Sequence, residues 1–195
     1  MCIRDRTTAT RRIAETRTLL ARHLEDIAEG LRHGEVPTPD DWTHRGRELG
    51  VALDRMRVAE GLVERARRAN PRARRWGAST TSIKEQSRAL DRVAVLVDDL
   101  TMLVVQFQPH RHGLDRVDSG TGWVLADALA SLASVVRLPY GEEGSDRARA
   151  IGAAEAALHR LTTLLRGSDV ADDEGFFALG AVTVGMHRSL DTLRS

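Results

Sequence analysis

Between Ser82 and Gln108 the apolar residues Ile83, Leu90, Val93, Val97, Leu100, Val104 and Phe107 recur at intervals of seven, three and four, the spacing of one packed helix face. A second row, Val95, Leu96, Met102, Leu103 and Val105, widens that face until only a strip around Asp91, Asp98 and Asp99 stays polar. A helix apolar over so much of its girth needs cover from more than one side. The spacing therefore predicts a helical bundle with this segment, about residues 82–108, at its centre.

The same period runs through the rest of the chain. Ile13, Leu20, Leu24, Ile27 and Leu31 predict an amphipathic helix over residues 7–33, about 40 Å long. Gly34 ends it, and Pro37 and Pro39 forbid continuation. Thr38, followed by Pro39, Asp40 and Asp41, reads as an N-cap, a proline at the first helical position and acids in the first turn. That predicts a second helix over 40–70 with Trp42, Leu49, Leu53, Met56 and Val63 on one face. Residues 71–81 read as a connector, after which Ser82 and Glu85 match a capping box at the start of the central helix. Pro109 ends that helix.

Further helices are expected over 121–138, 146–166 and 173–193. They carry Trp123, Leu125, Leu129, Leu132 and Val136; then Ile151, Ala154, Leu158, Leu161 and Leu165; then Phe176, Phe177, Leu179, Val182, Met186, Leu190 and Leu193. In the last of these Gly175, Gly180 and Gly185 fall five apart and do not line one face, which predicts close packing at individual points. Long helices with short connectors imply an all-α, antiparallel up-down bundle of coiled-coil character, with residues 7–195 as one domain.

Composition supports this class: 42% of residues are apolar and 4% aromatic. The bases are almost all arginine, with Lys84 the only lysine, and 29 bases against 28 acids leave a net charge of +1, too little for a nucleic-acid field over the whole domain. The single cysteine, Cys2, rules out an internal disulfide framework and points to a reducing, cytosolic setting. The most apolar run, Val93 to Phe107, carries Asp98 and Asp99 in its middle and is too short to span a bilayer. Residues 1–6 read as a non-native leader of adapter origin, which predicts that the natural chain starts further upstream and that this is a C-terminal piece of it.

The densest local charge is basic: Arg65, Arg67, Arg68, Arg72, Arg74 and Arg75, with no acid between Glu64 and Glu85. Guanidinium forks match phosphate oxygens, so these residues are the candidate contact for anionic lipid or phosphate, with Trp76 beside them suited to a membrane interface. The plainer reading is a solvated helix end whose cations suit the macrodipole. An antiparallel second helix would bring this cluster beside Arg11 and Arg12.

Other constellations carry less. His110, His112, Asp115 and Asp118 lie in a loop without the helical spacing that would hold a metal. His23, His33, His44, His159 and His187 are scattered, and the surroundings of His23 do not match a histidine-kinase motif. Asp98 and Asp99 point about 100° apart and cannot share one site. Gly120-Thr121-Gly122 lacks the strand and the third glycine of a dinucleotide fingerprint. No catalytic, metal or cofactor-binding residues are assigned, no cofactor is expected, and the chain is read as a non-enzyme.

Arg22-His23-Leu24-Glu25-Asp26-Ile27-Ala28-Glu29-Gly30-Leu31, the helix from Gly46-Arg47-Glu48-Leu49 to Arg68, the arginine-rich connector with Trp76, and Asp91-Arg92-Val93-Ala94-Val95-Leu96 form a familiar succession. It resembles the cytoplasmic helical region of bacterial fusaric-acid-resistance-like proteins, the aromatic acid exporter family, over about residues 12–165. The resemblance implies an accessory domain at the cytoplasmic face of the inner membrane, assembling or regulating an exporter of small aromatic carboxylates. Its partners would be the exporter's own transmembrane region, neighbouring subunits or further copies, and anionic lipid headgroups, with nucleic acid disfavoured. The alternative is a free-standing cytosolic helical-bundle regulator, resembling phosphate-uptake regulators, that docks on a protein partner.

Overall fold

The helical periods become six α-helices in the computed structural model, which describes residues 2–33, 38–69, 77–106, 119–139, 144–167 and 173–194. They are α1 (Cys2–His33), α2 (Pro39–Ala69), α3 (Gly77–Gln106), α4 (Ser119–Arg137), α5 (Ser145–Gly167) and α6 (Asp173–Arg194), and no strand occurs among the described residues. The fold is the all-α helical bundle that the sequence predicts.

Local chemistry explains the element starts. Thr38 caps α2 as expected: the Asp41 amide donates to Thr38 Oγ1 at 3.3 Å, and the Thr38 hydroxyl and amide donate to Asp41 Oδ2 at 2.7 and 3.3 Å. The hydrogen bonds from the Thr38 side chain and backbone hold the Asp41 carboxyl below its ordinary range. The start of α3 differs from the prediction. The helix begins at Gly77, five residues before the Ser82–Glu85 pair, and Ser82 Oγ accepts from Gln86 Nε2 at 3.0 Å inside the helix. Residues 77–81 contain no proline, so each adds a backbone hydrogen bond to a helix already nucleated, and propagation wins over the cap. In the same way α1 extends back to Cys2 instead of starting at residue 7.

Two three-helix units make up the bundle. In each, the first helix packs on the second and third and the second packs on the third; the units join through α1–α4 and α3–α6. Cross-strut pairs give the directions. Thr16 Oγ1 donates to Ala52 O at 3.3 Å and Arg45 pairs with Asp26, so α1 and α2 are antiparallel. Asp127 with Arg160, and Arg147 with the carbonyl of Leu138, set α5 antiparallel to α4.

The centre lies elsewhere than expected. The most extensive interface is α1 against α4, not the surface of α3. Ala21, Leu24 and Ala28 of α1 and Ala126, Leu129, Leu132 and Ala133 of α4 are all fully buried, and alanines at helical spacing let two axes approach closely. The α3 helix keeps one buried face, Ile83, Leu90, Val93, Val97 and Leu100, while Val95 and Met102 of its second apolar row face outward. Among the described residues its apolar girth is therefore only partly covered. The inward faces predicted for α1, α2, α5 and α6 agree with the burial of Ile13, Leu20, Trp42, Leu53, Met56, Leu158, Leu161, Met186 and Leu190. On α4 the predicted face is buried except for Trp123, which is exposed. Arg147 ties the ends of two helices together by donating to the carbonyls of Leu138 and Pro139, just past α4, and of Leu193 in the last turn of α6.

Candidate functional site

The arginine cluster was the sequence-level candidate, and its described half sits on the last turns of α2. Glu64 dominates it. Arg67 Nε and Nη2 grip the Glu64 carboxylate at 3.0 and 2.9 Å, a two-pronged bridge, and Arg68 Nε donates to Glu64 Oε1 at 3.2 Å. Hydrogen bonds from Arg67 first and Arg68 second push the Glu64 carboxyl down to about 2, and Glu64 in turn raises the Arg67 guanidinium. Arg67 and Arg68 thus share one carboxylate. Arg65 is exposed and makes no ion pair among the described residues. Arg72, Arg74, Arg75 and Trp76 lie outside the described residues.

The expected neighbourhood of the cluster needs a correction. Thr16 meets Ala52 and Asp26 meets Arg45, so the antiparallel register sets the last turns of α2 beside the first turns of α1. Arg11 and Arg12 lie about two turns away from that end, and both reach Glu15.

His23 is 5% exposed at the α1–α2 seam, and its pKa is lowered, chiefly by burial and then by Arg45. So buried an imidazole is not presented to a phosphate donor. Arg45 lies over the Trp42 ring with its guanidinium carbon 5.6 Å from the centroid, while pairing with Asp26. Asp91 bonds Arg57 of α2 at 2.9 Å, and Asp98 and Asp99 are exposed, the solvated strip foreseen for α3. His33, His44, His159 and His187 are exposed as well, whereas the His110–Asp118 loop lies outside the described residues. No three potential metal ligands cluster among the described residues.

Sequence reasoning missed a groove between α3 and α6. It encloses about 640 Å³ and is lined by Arg92, Val95, Leu96 and Asp99 from α3 and by Gly185, Arg188, Ser189, Asp191 and Thr192 from α6. Arg92 Nη1 donates to Thr192 Oγ1 at 2.6 Å across one end. Further along, a Cβ added at Gly185 would stand 2.9 Å from Leu96 Cδ1, so the two helices touch there because position 185 has no side chain. Val95, Met102 and Val184 stand exposed by half or more on the same two helices. A signal existed in the sequence, since Val95 and Met102 share a heptad spacing apart from the buried row. Nothing in the residues told that row from the one that packs inward.

The class that this fold and these surfaces define is an all-α bundle, six helices among the described residues, with a groove of mixed polar and apolar lining between α3 and α6. No family model matches the chain, and no curated protein or solved structure matches it. Among the described residues no helix is long and apolar enough to cross a membrane.

Proposed function

We propose that this chain is a non-catalytic assembly domain of a membrane exporter of the aromatic acid or fusaric acid resistance type, carried at the cytoplasmic face of the bacterial inner membrane. The observation that carries the assembly half is the α3–α6 groove. The groove, walled by Val95 and Leu96 and bordered by Arg92, Asp99, Arg188 and Asp191, with Met102 and Val184 exposed on the same two helices, forms a seat for an amphipathic helix, with charges on the rim to fix its register. The occupant is a helix of the exporter itself. The exporter half rests on the succession of helices and connectors quoted above.

In this reading the arginines at the end of α2 face anionic headgroups, each worth about 1 kcal/mol near the surface. Arg67 and Arg68 are partly neutralised by Glu64, so Arg65, Arg72, Arg74 and Arg75 carry more of the attraction. The test is co-sedimentation with vesicles of phosphatidylglycerol and phosphatidylcholine. Replacing Arg65, Arg72, Arg74 and Arg75 by glutamine weakens binding, and Glu64→Gln, which frees two guanidinium groups, strengthens it. Binding indifferent to both changes overturns the lipid contact. For the exporter itself the genomic reading frame decides: transmembrane helices encoded upstream of Thr7 support it, and a native start close to Met1 overturns it.

The second reading, a free-standing cytosolic regulator that docks on a protein partner, is favoured by one observation. The described helices bury one continuous core among themselves, as a self-contained domain would.

A further inference from the structure

The outer face of α2 carries a second seam that none of the described residues covers. Its inward row, Trp42, Leu49, Met56 and Val63, is buried against α1 and α3. On the opposite side Val51, Val58 and Leu62 are 49, 60 and 44% exposed. They belong to a row of alternating four- and three-residue steps, His44, Glu48, Val51, Arg55, Val58, Leu62 and Arg65, which is a coiled-coil heptad sustained for three repeats. Every member of that row is exposed.

We propose that α2 pairs with α2 of a second copy of this chain as an antiparallel coiled coil centred between Arg55 and Val58. The charges choose both the partner and its direction. In the antiparallel register Glu48 meets Arg65 of the second copy at each end, and Val51 meets Leu62 in the layers inside them. Arg55 lays its aliphatic stem along Val58 at the centre, with its guanidinium reaching water. These layers join the two seam positions alternately, as antiparallel helices require. A parallel, in-register pair sets Glu48 on Glu48, Arg55 on Arg55 and Arg65 on Arg65, three like-charge layers that exclude it.

The ion pairs within the chain point the same way. On α2, Arg45, Arg57, Arg67 and Arg68 each have an acid in this chain, whereas among the described residues Glu48, Arg55 and Arg65 on the seam form no ion pair, as Arg47 and Glu60 off it do not. Of these, Glu48 and Arg65 are the charges that the second copy pairs, while Arg55 keeps its guanidinium in water. The seam stands on α2 alone, so it holds whether or not the exporter reading does.

The seam is about 30 Å long with three apolar residues from each copy, which places the dimer in the weak class. The test is sedimentation equilibrium of the full chain over about two decades of concentration reaching the millimolar range. The expected result is a reversible dimer of the 21.5 kDa chain. Val58→Arg sets two arginines against each other at the centre and returns the chain to monomer, with helical content unchanged because Val58 has no role in the core. Glu48→Arg and Arg65→Glu each weaken the dimer about tenfold by turning two attractive pairs into repulsive ones. The double variant E48R/R65E restores it, which only the antiparallel register allows and which does not depend on how either single variant folds. A monomer throughout that range overturns the proposal and assigns the face to another partner. A dimer indifferent to Val58→Arg, or a double variant no better than its parents, overturns it too.

Discussion

The Arg45 guanidinium of α2 pairs with the Asp26 carboxylate of α1, with both side chains about two-thirds covered. The same guanidinium lies over Trp42, whose ring is buried in the core. One cation therefore ties the entry of α2 to the distal half of α1. Replacing Arg45 by glutamine removes a charge-assisted hydrogen bond and a cation–π contact but leaves the ring packed. The expected cost is about 1–2 kcal/mol in urea unfolding, and an unchanged midpoint would show that solvent compensates fully.

Stability falls on mild acidification through His23. Burial disfavours its charged form, and Arg45 and Arg22 act in the same direction, against weaker opposition from Asp26 and Glu48. Its folded pKa lies below the ordinary value near 6.5, so the unfolded chain takes up the proton first as pH drops. The contribution is complete above pH 6.5 and is lost as pH falls from there towards the folded value. Urea midpoints between pH 7.5 and 5 track this loss, and His23→Gln flattens that part of the profile. Arg45→Gln moves the imidazole back towards its ordinary value, which an NMR titration of His23 follows directly.

How much of this was legible in the sequence depends on what each residue has to tell apart. Periodicity is local, so Ile13 to Ile27, Trp42 to Val63 and Val182 to Leu193 announce both a helix and its buried face. The Thr38–Asp41 cap is local too, and it stands where it was expected. Helix starts without a breaker are not, because the Ser82–Glu85 signal competes with propagation and loses to it at Gly77. The pairing of helices is less legible still. A buried alanine such as Ala21 or Ala133 has no hydropathy contrast to advertise it, yet such residues set α1 against α4 and shift the centre away from α3. For the arginine cluster the sequence showed charge but not commitment: Glu64 lies just before the run and takes up two of its members.

Ser87 is a misfit inside the core. It is fully buried on α3, and its hydroxyl has no hydrogen-bond partner among the described residues. Burying an unsatisfied hydroxyl is unfavourable, and alanine is the better helix former. Ser87→Ala is expected to stabilise the fold by about 1 kcal/mol, read as a higher thermal midpoint. A lower midpoint would mean that the hydroxyl is satisfied by water in solution.

Gly152 and Gly185 sit in helices and invite the same substitution with opposite results. A Cβ at Gly152, on the exposed face of α5, meets nothing within 4 Å. Alanine there lowers the backbone entropy of the unfolded chain and raises helix propensity, for an expected gain of about 0.5–1 kcal/mol. At Gly185 the same methyl lands 2.9 Å from Leu96 Cδ1, on a side chain that is itself buried. To make room Leu96 must swing its Cδ1 toward the groove it lines or α6 must move away from α3, and overpacking of this kind costs about 1–3 kcal/mol, more than the propensity gain. Gly185→Ala is therefore expected to lower the urea midpoint, while Gly152→Ala raises it. Because Gly185 also lines the groove, Gly185→Ala reshapes that seat and Gly152→Ala does not. The pair thus separates packing from propensity: equal gains at both sites would mean that α3 and α6 are not in contact at Leu96.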